Sequence, residues 1–264
     1  MMQSFDGTKL YLKAELPEKM KAVCVFVHGL CEHQGRYDYV AEKFYEAKIG
    51  TYRFDHRGHG KSEGEESHYS DYNEMLKDTD EVVNKAMAEN PEIPIFLLGH
   101  SMGGFCVALY GAKYPEKEIS GIITSGALTR DNAKIILGIQ KGMDVHTRIP
   151  NALAEGVCSV IGIIECYKTD PLVRKSFTAG LCYAIADGLK WYEKNVGTFS
   201  FPILMMHGEK DGLVSVQDTY DFFTLVSSED RQMKIYGGLL HEILNEFCRG
   251  EVIADTVAWI ERRA

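Results

Sequence analysis

Short apolar runs alternate with longer stretches of helical spacing along most of this chain. Residues 21–29, KAVCVFVHG, are continuously apolar, rich in β-branched side chains and stopped by glycine, which predicts a strand buried on both faces. GTYRFDHRG at 50–58, IPIFLLG at 93–99, SGIITSG at 120–126 and FPILMMHG at 201–208 share that character. Between them, RYDYVAEKFYEAK and NEMLKDTDEVVNKAMAEN repeat apolar residues at helical intervals. Such alternation is the signature of βα units. The expected fold class is α/β, a mostly parallel sheet with helices on both faces.

The alternation breaks between residues 127 and 195. Gly138, Gly142, Pro150, Gly156, Gly162 and Pro171 punctuate helix-like and turn-like text there, with no clean sheet strand. Nine Lys/Arg against seven Asp/Glu also make this stretch slightly basic in a chain of formal net charge −9. A mostly helical insertion explains both features. It divides the chain into a first core part at 1–126, a helical cap at 127–195 and a second core part at 196–264. Ligands enter open α/β sheets at the carboxyl ends of the strands, which is where a cap would sit.

Composition narrows the classes of function. A chain of 264 residues, 45% hydrophobic and 25% charged, is ordinary for a globular protein with one large domain. Its net charge of −9 gives it no electrostatic reason to bind a polyanion, so nucleic acid is not an expected partner. The first residues lack a basic segment followed by an apolar one, and no apolar run is long enough to cross a bilayer. Seven cysteines scattered without CxxC pairs read as reduced thiols, and a cytoplasmic location is expected.

LLGHSMGGF at 97–105 carries the chemistry. GHSMG fits G-x-S-x-G with a buried strand before it and a helix after it, the setting in which a serine is held on a sharp turn. Gly99 and Gly103 leave room for that turn, and Gly104 lets the helix approach the sheet. A serine hydroxyl needs a base, and in this architecture an acid and a histidine follow in that order, each after a strand. Asp211, in HGEKDGLVS, and His241, between MKIY and a final helix, meet the requirement, making Ser101, Asp211 and His241 the expected triad. His28 and His207 at strand ends read as structural hydrogen-bonders, His56 and His59 as part of a knitted loop, and His33 as too early for the base. His100 is expected to project away from Ser101, and Glu209 is the nearest rival for the acid. The oxyanion of acyl transfer needs two fixed N–H donors, for which the amides of Met102 and Leu30 are best placed.

HGLCEHQGRY, FDHRGHGKSEG, GHSMGG, YKTDPLV, HGEKDGLVS and LHEILNE together resemble the monoacylglycerol lipase and lysophospholipase group of α/β-hydrolases, in the correct order over nearly the whole chain. The resemblance implies an eight-stranded sheet, a helical cap and a serine hydrolase of carboxylic esters with the same triad and oxyanion amides. It also implies that Glu32 and Arg36 lie near the alcohol end of the acyl site. One departure is Cys31, where the group usually has glycine. If that position needs a positive φ, cysteine costs about 1 kcal/mol or more. The thiol then reads either as a small packing group or as a reactive one.

These residues imply acyl transfer to water without a metal or organic cofactor, on a small-molecule ester. Apolar stretches such as AKIILGIQKGM and LAEGVCSVIGII in the cap favour a single-chain lipid ester, although packing alone would also produce them. An exposed apolar cap face would let the protein touch lipid surfaces transiently without spanning them. The alternatives are a short-chain or aryl (cinnamoyl-type) carboxylesterase, an aminopeptidase using Glu155, Glu165 or Asp170 for a free amino group, and a non-catalytic binding protein.

Overall fold

The computed structural model describes residues 1–264. The first part contains β1 (Met2–Gln3), β2 (Lys9–Leu10), β3 (Leu12–Glu15), β4 (Ala22–Val27), α1 (Asp38–Glu46), β5 (Ile49–Phe54), α2 (Tyr72–Glu89), β6 (Ile95–His100), α3 (Met102–Lys113) and β7 (Gly121–Ser125). Then come β8 (Arg148–Pro150), α4 (Ala154–Val157), α5 (Ile161–Thr169), β9 (Ser176–Thr178) and α6 (Ala179–Asn195). The chain closes with β10 (Ile203–Gly208), α7 (Val216–Leu225), β11 (Arg231–Tyr236) and α8 (Arg249–Glu261).

The central sheet runs β11-β10-β7-β6-β4-β5-β3, parallel except for β3, which pairs antiparallel with β5. It has seven strands, one fewer than the sequence resemblance implies. The first residues pair among themselves instead: β1 and β2 make a two-residue ribbon, too short to extend the sheet.

Strand periodicity splits the interior into two layers. Val23, Val25, Leu97, Ile122, Ile203 and Met205 point into the larger cluster, with α2, α3, α6 and α7. Cys24, Phe26, Phe96, Leu98, Ile123, Leu204 and Met206 point into the smaller one, against α1 and α8. Each central strand is buried on both sides, which is why its sequence reads as an unbroken apolar run.

The stretch 127–195 adds no strand to this sheet but holds a short antiparallel ribbon of its own, β8 with β9, which its turn-like sequence does not announce. Its last element, α6, packs against α2 and α3 through Leu181, Ile185 and Leu189. No helix is long and apolar enough to cross a membrane.

Candidate active site

Ser101 sits between β6 and α3 with φ 54° and ψ −115°, a strained backbone that costs on the order of 1–3 kcal/mol. The turn closes only because its flanks are bare. A Cβ on Gly99 would lie 2.3 Å from the Gly103 carbonyl oxygen, and one on Gly103 would lie 1.9 Å from that of Val27. The Ser101 amide donates to the Ser125 carbonyl at 2.9 Å, anchoring the turn to β7. The start of α3 lies behind the serine, where its dipole favours negative charge.

Asp211 and His241 follow β10 and β11, so all three groups converge at the carboxyl end of the sheet. His241 Nδ1 stands 2.6 Å from Asp211 Oδ2, and both side chains are almost wholly buried. The other carboxylate oxygen accepts the Leu213 and Val214 amides, each at 2.9 Å. Burial opposes ionisation of Asp211, but the His241 charge and hydrogen bonds from His207 and His241 hold its carboxyl far below the usual range. Burial likewise opposes the His241 imidazolium. The Asp211 charge and hydrogen bond, with Glu242 and Glu32 behind them, outweigh it and raise the His241 pKa above its ordinary value.

Two histidines near Asp211 and His241 make contacts beyond those the sequence predicts. His207, expected as a structural hydrogen-bonder, also places Nε2 2.9 Å from Asp211 Oδ2 while contacting Thr219 and Val214. The His100 ring centroid lies 4.6 Å from that of His241, with Nδ1 against Ser125. Burial holds the His100 pKa down to about 3, so it stays neutral beside His241. His28 and His59 are likewise depressed to about 3 by burial, and with His56 they knit the loop after β5.

Leu30 follows β4, and Met102 opens α3. Neither amide is bonded to any group of the chain, as donors awaiting an oxyanion would be. Between Leu30 and Glu32, Cys31 adopts φ 64°, so the left-handed conformation usual for glycine persists with a side chain present. Burial pushes its thiol up to about 12, and it packs into the larger core cluster. The packing reading therefore holds for Cys31.

Glu32 accepts the Gly29 amide at 2.5 Å and the Tyr37 hydroxyl at 2.7 Å. Arg36 donates to Glu32 at 3.0 Å and forks onto both oxygens of Glu242, with its guanidinium 4.8 Å from the Tyr167 ring centroid. Glu32 and Glu242 line a cavity beside Ser101, whereas Arg36 stands behind them as their shared counter-ion. No local pattern links Arg36 to Glu242, 206 positions away.

Two compartments meet at Ser101 and His241. One is lined by Glu32, His100, Tyr167 and Glu242. The other is walled by Leu128, Ile135, Ile136, Leu153 and Ile185, with nine of its eleven lining residues hydrophobic. Glu155 and Glu165 face solvent and pair with Lys168, and Asp170 pairs with His33; none of the three lines either compartment.

This fold and site define an α/β-hydrolase, an enzyme of the carboxylic ester hydrolase class. A family model described as "Serine aminopeptidase, S33" (Hydrolase_4) matches residues 18–247, and the chain belongs to that family. A protein named monoacylglycerol lipase from Mycolicibacterium smegmatis is 34% identical over 251 residues, spanning 91% of this chain and 88% of that one. The human monoglyceride lipase is 28% identical over 271 residues, 98% of this chain and 88% of its own. A crystal structure of Paleococcus ferrophilus monoacylglycerol lipase superposes with a TM-score of 0.84 at 25% identity, covering 97% of this chain and 100% of that one.

Proposed function

We propose that this chain hydrolyses monoacylglycerols and related single-chain esters, lysophospholipid-like ones included, through an acyl-enzyme on Ser101. Ser101 Oγ attacks the ester carbonyl carbon as His241 Nε2 takes its proton. Asp211 holds the Nδ1–H tautomer and offsets the charge of the imidazolium. The Leu30 and Met102 amides donate to the oxyanion, and collapse expels the alcohol, which takes the proton from His241. Water then gives a proton to His241 as its oxygen attacks the acyl carbon, and collapse releases the carboxylic acid while His241 returns the proton to Ser101 Oγ. His241 must be neutral to act, so turnover falls as pH drops through its raised pKa, while Asp211 stays ionised throughout.

The observation that carries the substrate reading is the pair of compartments meeting at Ser101. The apolar one suits an acyl chain, and the one with Glu32 and Glu242 suits a polyol or polar head group. Residues 127–195 act in this reading as a cap, because they supply most of the apolar wall. The names of the similar proteins point the same way. A cytoplasmic location belongs to the same reading, supported by seven unpaired cysteines.

Ser101→Ala tests the mechanism: the variant keeps its fold, loses fluorophosphonate labelling and turns over a p-nitrophenyl ester about 10⁴-fold or more slowly. Retained turnover overturns it. A chain-length series of glycerol esters tests the substrate, and a sharp optimum at short chains would replace the lipase reading with a short-chain esterase. The family description and the carboxylates beside Ser101 favour aminopeptidase activity as a second reading. It requires cleavage of aminoacyl-arylamides and falls without it.

A further inference from the structure

Away from the catalytic centre, the loop between β5 and α2 meets the stretch just before β8. Glu65 and His68 come from the loop and His146 from the facing stretch. One ligand atom from each of the three lies within 4.8 Å of the others. We propose that Glu65, His68 and His146 form a binding site for a divalent transition-metal ion of the zinc class, which ties the 143–148 segment to the core loop.

His146 Nδ1 lies 2.9 and 3.1 Å from the two Glu65 carboxylate oxygens. Two ligands on a tetrahedral zinc-type ion, each bound at about 2.0–2.1 Å, sit roughly 3.3–3.4 Å apart. That pair reaches ligand spacing by moving a few tenths of an ångström. Both side chains are open to solvent, so an ion can reach them.

The tautomer of the third ligand is fixed by its neighbours. The Thr178 hydroxyl donates to the Ser67 carbonyl at 3.2 Å and accepts the Leu181 amide at 3.1 Å. His68 Nδ1, 2.9 Å from the same hydroxyl oxygen, therefore carries the proton and donates it. Its Nε2 lone pair is left free. An N–H directed at a fixed oxygen, with the other nitrogen open, is how metal-binding imidazoles are oriented.

The backbone fixes the two sides as well. The amides of Thr178, Ala179 and Gly180 donate to the carbonyls of Ser67, Thr147 and Val145, so the start of α6 holds both histidine-bearing segments. Asp144 Oδ1 accepts the His146 amide at 2.9 Å. The nearby Arg148 is committed to Glu66 and Ser176, leaving Glu65 to the histidines. Two imidazoles and one carboxylate favour Zn²⁺, Co²⁺ or Ni²⁺ over Mg²⁺ and Ca²⁺ and leave a coordination position for water.

Calorimetric titration of the full chain with Zn²⁺, alongside His146→Ala and Glu65→Gln, tests the proposal without an activity readout, so its result is independent of the esterase reading. Expected are one saturable site in the parent, at least about tenfold weaker binding in His146→Ala, and no competition from Mg²⁺. Zn²⁺ should slow hydrogen exchange over 143–148 in the parent only. Without metal, His146→Ala should unfold at the parent's temperature, separating lost binding from lost fold. Identical isotherms in parent and variants, displacement by Mg²⁺, or unchanged exchange over 143–148 would each overturn it.

Discussion

The two walls of the cavity at Ser101 are built in opposite ways. On the core side every reactive side chain is pinned at the end of a sheet strand, and its polar neighbours are committed. Asp211 is held by two amides and two histidines, and Glu32 and Glu242 share Arg36. On the other side the wall is apolar and comes from short elements: Leu153 just before the four-residue α4, and Ile135 and Ile136 from a loop. Under the proposed function, the contrast places chemistry in one part of the chain and selectivity in the other. Substitutions on the core side should change rate or fold for every ester, while those on the inserted side should change which ester is preferred.

Asp211→Asn should have the largest effect. The amide side chain keeps the shape but removes the charge that fixes the His241 tautomer, so kcat on any ester should fall by about 10⁴ with the fold intact. The acidic limb of the pH profile should also move to lower pH, since Asp211 is the main group raising the His241 pKa. A fall in kcat confined to long-chain esters would break the division between the walls. Gly103→Ala comes next and acts on the fold. Its Cβ would sit 1.9 Å from a backbone oxygen of β4, which cannot move aside as a side chain could. Destabilisation of about 3 kcal/mol is expected, read from the urea midpoint.

The core wall was the legible one, because its signals are local. An apolar run ending in Gly99, a serine and another glycine states both the strand and the turn, and chain order does the rest for Asp211 and His241. The expectation for Leu30 and Met102 rests on equally local text, the turn after β4 and the residue after Ser101. The eighth strand failed because two residues of β1 fold back on β2, a choice decided by short-range pairing that apolar patterning does not report. His207 was read only by half, since nothing local shows that its Nε2 turns toward a carboxylate four residues later. The Arg36 fork to Glu242 and the apolar wall depend on packing between distant segments, and one-dimensional spacing carries neither.

The inserted wall can be probed without touching the chemistry. Ile135 is half-buried and lines the apolar compartment, so Ile135→Trp should fill part of it. Excluding two methylenes of an acyl chain at about 0.8 kcal/mol each lowers kcat/KM for long-chain esters about tenfold. Turnover of an acetate ester should stay near the parent value. An equal loss for both esters would mean that this wall supports the catalytic geometry after all.

Glu242→Gln should have the smallest effect and sharpens the contrast from inside the core wall. Glu242 follows the base in sequence and faces the polar compartment, but it touches neither Ser101 Oγ nor the Nδ1 of His241 that Asp211 holds. Its charge stands behind that of Asp211 among the influences that raise the His241 pKa. Removing it makes the imidazolium less stable, so the base remains neutral, and activity persists, to lower pH. The acidic limb of kcat/KM should therefore shift in the same direction as in Asp211→Asn but by less, with the plateau rate nearly unchanged. Arg36 keeps its bond to Glu32 and a carbonyl oxygen at position 242, so the fork loses charge without losing all of its acceptors. A shift to higher pH would show that the dominant influence of the cluster on His241 comes from Arg36. A collapse of the plateau would move Glu242 from tuning the base to holding it in place.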